Sequence, residues 1–174
     1  MKNKRNIVLI GFMGCGKTTV GLRLSYKLRK TVTDTDKMIE KRQGCTIKEI
    51  FANEGEEYFR QLETQLLSEL SAKACNEIVS VGGGTPVREE NRKLLKEIGT
   101  VVYLKISAKA VYERLKNDKV RPLLQGDNPK AKIEELLSYR EPFYEEAADV
   151  IVEVDEKNMD EVLEQIVKCL EESV

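Results

Sequence analysis

A chain of 174 residues, 41% hydrophobic and 34% charged, has the size and composition of one globular domain that needs no disulfide or metal staple. Its 29 Lys and Arg nearly balance 30 Asp and Glu, and a net charge of -1 argues against a nucleic-acid footprint. There is no histidine, so imidazole acid–base chemistry and histidine metal ligation are excluded.

Ile7 to Ile10 is a short apolar, β-branched run that reads as a buried strand. It runs into Gly11-Phe12-Met13-Gly14-Cys15-Gly16-Lys17-Thr18, which fits the phosphate-loop pattern G-x-x-x-x-G-K-[ST]. A helix from Thr18 to Leu28 follows, with Val20, Leu24 and Leu28 on one face. Strand, glycine turn and helix N-terminus together make an anion site, because backbone N–H groups converge there and the helix dipole adds positive charge. Gly11, Gly14 and Gly16 permit positive φ and close approach of a phosphate. Lys17 is expected to reach the β- and γ-phosphates of a nucleotide, and the Thr18 hydroxyl to ligate Mg²⁺. Cys15, beside Lys17 at the helix start, is either a thiolate-prone group or a small space-filling one.

The stretch from Thr31 to Asp36 reads as a short strand ending in two acids. Side chains alternate along extended backbone, so Asp34 and Asp36 are expected to face different sides, one toward Mg²⁺ and phosphate and the other toward a second substrate. The same residues also fit an exposed turn, or an N-cap for the segment 37–42. Gly44 ends that segment, and Thr46-Ile47-Lys48-Glu49 is a capping box for a short helix through Phe51. A helix over 56–73 has Phe59, Leu62, Leu66 and Leu70 as its apolar stripe. By spacing, Arg60 with Glu56 and Glu63 is an ordinary helix-surface pairing.

Ile78 to Val81 is a further strand, leading into Gly82-Gly83-Gly84-Thr85-Pro86, bare backbone against which a ligand can lie. Switch- and motor-type phosphate-loop proteins end such a strand in Asp. Here glycine takes that place, which leaves Asp34 as the candidate metal carboxylate. A helix over 88–98 stops at Gly99, a strand covers 101–106, and Ser107 caps a helix to Lys116. The polar stretch 117–129 contains Arg121 and has the length of a lid. In a helix over 133–148, Pro142 is expected to kink or end the regular part, with Arg140 just before the break. A strand over 150–154 and an amphipathic helix from Met159 to Leu170 close the chain. Five alternations predict an α/β fold in one domain over 1–174: a three-layer, five-stranded parallel sheet with helices on both faces. Cys15, Cys45, Cys75 and Cys169 form no C-x-x-C, and no run has signal or membrane-spanning length, so a reduced, cytoplasmic protein is expected.

Taken together, the motifs resemble those of the shikimate kinases. They are G-F-M-G-C-G-K-T at 11–18, D-T-D at 34–36, F-R-Q-L-E at 59–63, G-G-G at 82–84, R-P-L-L at 121–124 and Y-R-E-P-F-Y at 139–144. The resemblance implies the P-loop kinase fold of nucleoside monophosphate kinases, with a lid at about 117–129. It implies ATP-dependent phosphorylation of the 3-hydroxyl of shikimate, giving shikimate 3-phosphate and ADP for aromatic amino acid biosynthesis. ATP and shikimate are the implied partners and Mg²⁺ the cofactor, with no nucleic acid or membrane, in a monomer. Residue by residue, Gly14, Cys15, Gly16, Lys17, Thr18 and Thr19 would hold ATP, with Thr18 and Asp34 at the metal. Asp36 would bind the shikimate hydroxyls and accept the proton. Arg60 and Arg140 would grip the carboxylate, beside the backbone of Gly82 and Gly83, and Glu63 would orient Arg60. Arg121 would close over the transferring phosphate, and Arg114 would lie near adenine. Lys17, Asp36 and Arg121 are the implied catalytic set. It is the resemblance, not the spacing, that brings Arg60 into the site. A small kinase for gluconate or a nucleotide is the nearest alternative; a GTP switch would need an N-K-x-D signature, which is missing.

Overall fold

The computed structural model describes residues 6–118 and 125–173. Five strands form one sheet: β1 (Ile7–Ile10), β2 (Thr31–Asp34), β3 (Glu77–Ser80), β4 (Thr100–Lys105) and β5 (Val150–Glu153). Their order is β2-β3-β1-β4-β5 and every pairing is parallel. Parallel neighbours require crossover helices, which cover both faces, so the central strand β1 is apolar throughout. All four residues of β1 are buried, whereas the edge strand β5 alternates buried and exposed.

The helices are α1 (Lys17–Leu28), α2 (Thr35–Gln43), α3 (Ile47–Glu54), α4 (Glu56–Lys73), α5 (Glu89–Ile98), α6 (Ala108–Leu115), α7 (Pro129–Ala147) and α8 (Met159–Glu172). α1 and α8 pack together over one face, while α5 and α7 pack on β4 from the other. The expected α/β architecture is therefore present.

Two local expectations are corrected. β2 stops at Asp34, whose carboxylate accepts the Lys37 N–H at 3.1 Å and caps α2. The orphan amides of a helix start attract that carboxylate, so the two acids occupy a cap and a first turn rather than alternating along a strand. α7 starts at Pro129, four residues earlier than its apolar pattern, behind an Asn128 cap, and it continues through Pro142 to Ala147. Pro142 withdraws only the N–H that the carbonyl of Ser138 would accept, and Ser138 lies on the exposed side, where water can serve.

The amino ends of the strands are tied by one side chain. Asn6, 1% exposed, donates from Nδ2 to the carbonyls of Ala74 and Ile98, both at 2.9 Å, and accepts the Glu77 N–H at 3.0 Å. It thereby satisfies the ends of α4 and α5 and the start of β3. The Asn6 carbonyl accepts the Thr100 N–H, and Gly99 lies so close that a Cβ there would strike that carbonyl. Replacing Asn6 by Ala removes its bonds to the carbonyls of Ala74 and Ile98 and to the Glu77 N–H. Asn6→Ala is expected to lower stability by roughly 2–4 kcal/mol, read from urea midpoints at constant m-value. A loss below about 0.5 kcal/mol would contradict this role.

Candidate active site

The carboxyl ends of the same strands open into one cavity of about 850 Å³. β1 delivers the glycine loop, β2 delivers Asp34 and Asp36, and β3 delivers Ser80 and the glycine triplet. Ligands of open α/β sheets bind at this edge.

In the loop, Gly11, Gly14 and Gly16 all have positive φ, as expected. Gly16 is the N-cap of α1 at φ 97 and offers no side-chain cap, so the first amides of the helix remain available to an anion. Lys17 Nζ donates to the carbonyls of Gly11 at 2.6 Å and Phe12 at 3.4 Å, which holds the ammonium across the loop. Gly14, Gly16, Lys17, Thr18 and Thr19 line the cavity, and both threonines are exposed. Cys15, 2% exposed, is turned under the loop: its N–H donates to the Phe12 carbonyl, and a Cβ on Gly11 would stand 2.8 Å from its Sγ. Of its two readings, this burial fits the space-filling one. Arg114, on α6, donates to the Gly14 carbonyl at 2.8 Å, which places its guanidinium at the outer rim of the loop.

Asp36 is partly buried at the cavity wall. Its Oδ1 is buried without a hydrogen-bond partner. Burial, then the charges of Glu63 and Asp34, push its pKa up to about 6 against the pull of Lys17 and Arg60. Gly82 is required here, because a Cβ would stand 2.8 Å from Asp36 Oδ1 and 3.2 Å from Glu63 Oε1. Ser80, at the end of β3 and in register with Asp34, also lines the cavity.

Arg60 is not a surface ion pair. It is 15% exposed, and Nη1 meets Glu63 Oε2 at 2.7 Å, while Nη2 meets Glu56 Oε1 at 3.3 Å. Glu63, 1% exposed, also accepts the Thr85 hydroxyl at 2.6 Å. Behind it, Asn91 donates to the Thr85 carbonyl and accepts the Thr64 hydroxyl. Arg140 approaches from α7 over the Phe12 ring, 5.8 Å from its centroid. Its Nη1 would lie 3.2 Å from a Cβ on Gly83, and Gly84 is overlain by Arg60 in the same way. Arg140 has no carboxylate partner among the described residues. Arg121 lies outside the described residues.

Pattern reading missed an apolar wall of Ile47, Phe51 and Phe59 and a cation, Lys48, that also line the cavity. Phe51 and Phe59 rings are 5.0 Å apart; Phe59 fell on a helix stripe, and Phe51 only marked the end of a short helix. The Thr18 and Ser80 hydroxyls and the Asp34 carboxylate are hard oxygen donors facing the cavity. Among the described residues no group of three or more His, Cys, Asp or Glu could cage a metal, and no helix is long and apolar enough to cross a membrane. A sparse oxygen set beside a phosphate loop fits Mg²⁺, which retains waters and shares phosphate oxygens.

A family model described as shikimate kinase matches residues 13–171. The shikimate kinase of Nitrosospira multiformis is 49% identical over 148 residues, 85% of this chain and 75% of its own. That of Thioalkalivibrio sulfidiphilus is 44% identical over 169 residues, 95% and 87%. The structure of shikimate kinase from Acinetobacter baumannii in complex with shikimate superposes with a TM-score of 0.90 at 38% identity, covering 99% of this chain and 96% of that one.

The raised pKa of Asp36 has a sign that stability can report. Folding favours its protonated form, so stability is higher below the unfolded value of 3.8 and is lost as pH rises through about 6. At pH 8 the buried charge costs roughly 1–3 kcal/mol. Asp36→Asn is therefore expected to be more stable than the parent chain at pH 8 by that amount, with the gain vanishing toward pH 4. Urea midpoints at pH 8, 6 and 4 measure it; equal stability at pH 8 would refute the burial of this charge.

Proposed function

The chain belongs to the shikimate kinase family, and we propose that its cavity holds ATP on the glycine loop and shikimate on the glycine triplet, transferring the γ-phosphoryl group to the 3-hydroxyl. One observation carries the assignment of roles: Lys17, Asp36, Arg60 and Arg140 come from four elements and line one cavity. The amides at the start of α1 and the Lys17 ammonium bind phosphate oxygens. Arg60 and Arg140 flank the triplet and suit a planar carboxylate, because each guanidinium offers fixed paired donors.

The hydroxyl oxygen attacks the γ-phosphorus, the bond to the β–γ bridging oxygen breaks, and the hydroxyl proton goes to Asp36. Its Oδ1 already lacks a partner, so a substrate hydroxyl supplies the missing donor. A pKa of about 6 leaves it mostly ionised near neutrality yet more basic than an ordinary carboxylate. The transition state is loose, and fixed charge does most of the work. Mg²⁺, held by Thr18 and Asp34, would neutralise phosphate charge. From outside the described residues, Arg121 would add a lid cation, within a lid over about 117–129, and Arg114 would border the adenine. One chain carries every described site residue. The reading is of one domain over 1–174, acting as a cytoplasmic monomer with ATP and shikimate as its partners.

Two measurements test this reading. In a coupled ADP-release assay, shikimate is expected to support turnover, while gluconate and nucleoside monophosphates give none above background; turnover with gluconate alone would overturn it. Arg60→Ala and Arg140→Ala are each expected to lower kcat/KM for shikimate about 30- to 1,000-fold, mainly through KM, because a carboxylate clamp acts in ground and transition states alike. Arg121→Ala is expected to act mainly on kcat. An unchanged shikimate KM in both clamp variants would remove the clamp.

A further inference from the structure

Tyr144 is a buried hydroxyl that the reaction above does not use. It closes the Y-R-E-P-F-Y segment, one helical turn beyond Arg140 on α7, and is 0% exposed. Its hydroxyl donates to the Gly83 carbonyl at 2.6 Å. Arg140 Nη1 and the Tyr144 hydroxyl meet at Gly83, 3.2 and 3.7 Å from where a Cβ would stand there. Burial pushes the hydroxyl pKa well above the ordinary tyrosine value, against the downward pull of the guanidinium charge, and keeps it a donor. The ring is fixed against Tyr103, with centroids 5.1 Å apart.

With its proton committed to Gly83, this hydroxyl has only lone pairs to offer Arg140. The two arginines are thus held by different means. Arg60 leans on Glu63 and Glu56. Arg140 has Tyr144 at one edge, Phe12 at its face and space left by Gly83, with no carboxylate among the described residues. From this we infer that Tyr144 is a positioning residue for Arg140, aiming its guanidinium at the acceptor carboxylate through a neutral partner. A neutral acceptor orients the cation without neutralising it, so its charge is left for the substrate. The inference rests on the reading above that Arg140 binds the carboxylate.

Tyr144→Phe removes one oxygen and keeps the ring. Steady-state kinetics on Tyr144→Phe, Arg140→Ala and the double variant, varying shikimate and ATP separately, give the test. Tyr144→Phe is expected to raise the shikimate KM about 5- to 30-fold, with kcat and the ATP KM within about twofold. In the Arg140→Ala background it should add less than about twofold, because its route of action is gone. With a shikimate analogue carrying a carboxamide in place of the carboxylate, Tyr144→Phe and the parent chain should agree. An unchanged shikimate KM, or the same fold loss in the Arg140→Ala background or with the carboxamide, overturns the inference. If Arg140→Ala itself leaves the shikimate KM untouched, the carboxylate clamp fails instead.

Discussion

Three consecutive glycines at the end of β3 set the geometry on which the site depends. Each leaves room for a different functional group: Gly82 for Asp36 and Glu63, Gly83 for Arg140, Gly84 for the guanidinium of Arg60. A Cβ at any of them would push one charged group away. None of the three has the positive φ that favours glycine, so steric access explains the triplet where backbone freedom does not. Because Gly83 also lies 3.6 Å, at its Cβ position, from the Gly11 carbonyl, the triplet stands against the phosphate loop as well. In the proposed reading, proximity of two substrates is a matter of absent side chains.

Around that backbone the charges are arranged to stay unequal. Burial, Glu63 and Asp34 raise the pKa of Asp36, and Lys17 and Arg60 pull it down. Glu63 is satisfied by Arg60 and Thr85, whereas Asp36 keeps an unpartnered oxygen. A carboxylate whose oxygens already have donors offers little to a further hydroxyl. A partly paired, desolvated one costs stability but remains ready for a hydroxyl. The difference between the two acids arises from their neighbours, since both are carboxylates at the same cavity wall.

The phosphate loop was legible because its chemistry is local: glycines, lysine and threonine within eight residues, between a strand and a helix. The parallel sheet was legible for a similar reason, since alternating apolar strands and amphipathic helices admit few other arrangements. Arg60 was not legible from spacing. Its pairing with Glu63 was visible three residues away, but the burial that separates a positioned guanidinium from a surface pair comes from α5 and the triplet, distant in sequence. The D-T-D stretch could be read two ways. Threonine content suggested more strand, and the N-cap alternative is the one Asp34 adopts. Pro142 does not end its helix, because a proline inside a helix is tolerated where the freed carbonyl faces water.

Stability and function occupy opposite ends of the same strands. At the amino ends Asn6 satisfies two helix termini and a strand start with one buried amide. At the carboxyl ends lie an orphaned carboxylate oxygen, the positive-φ glycines of the loop and like charges crowded in one cavity. This polarity follows from parallel strands: all their carboxyl ends share one edge, where loops diverge and ligands enter, and all their amino ends share the other, where helices terminate and must be closed. An antiparallel sheet would mix the two kinds of end along each edge. The destabilising groups that phosphoryl transfer calls for can therefore gather without facing the structure that offsets them.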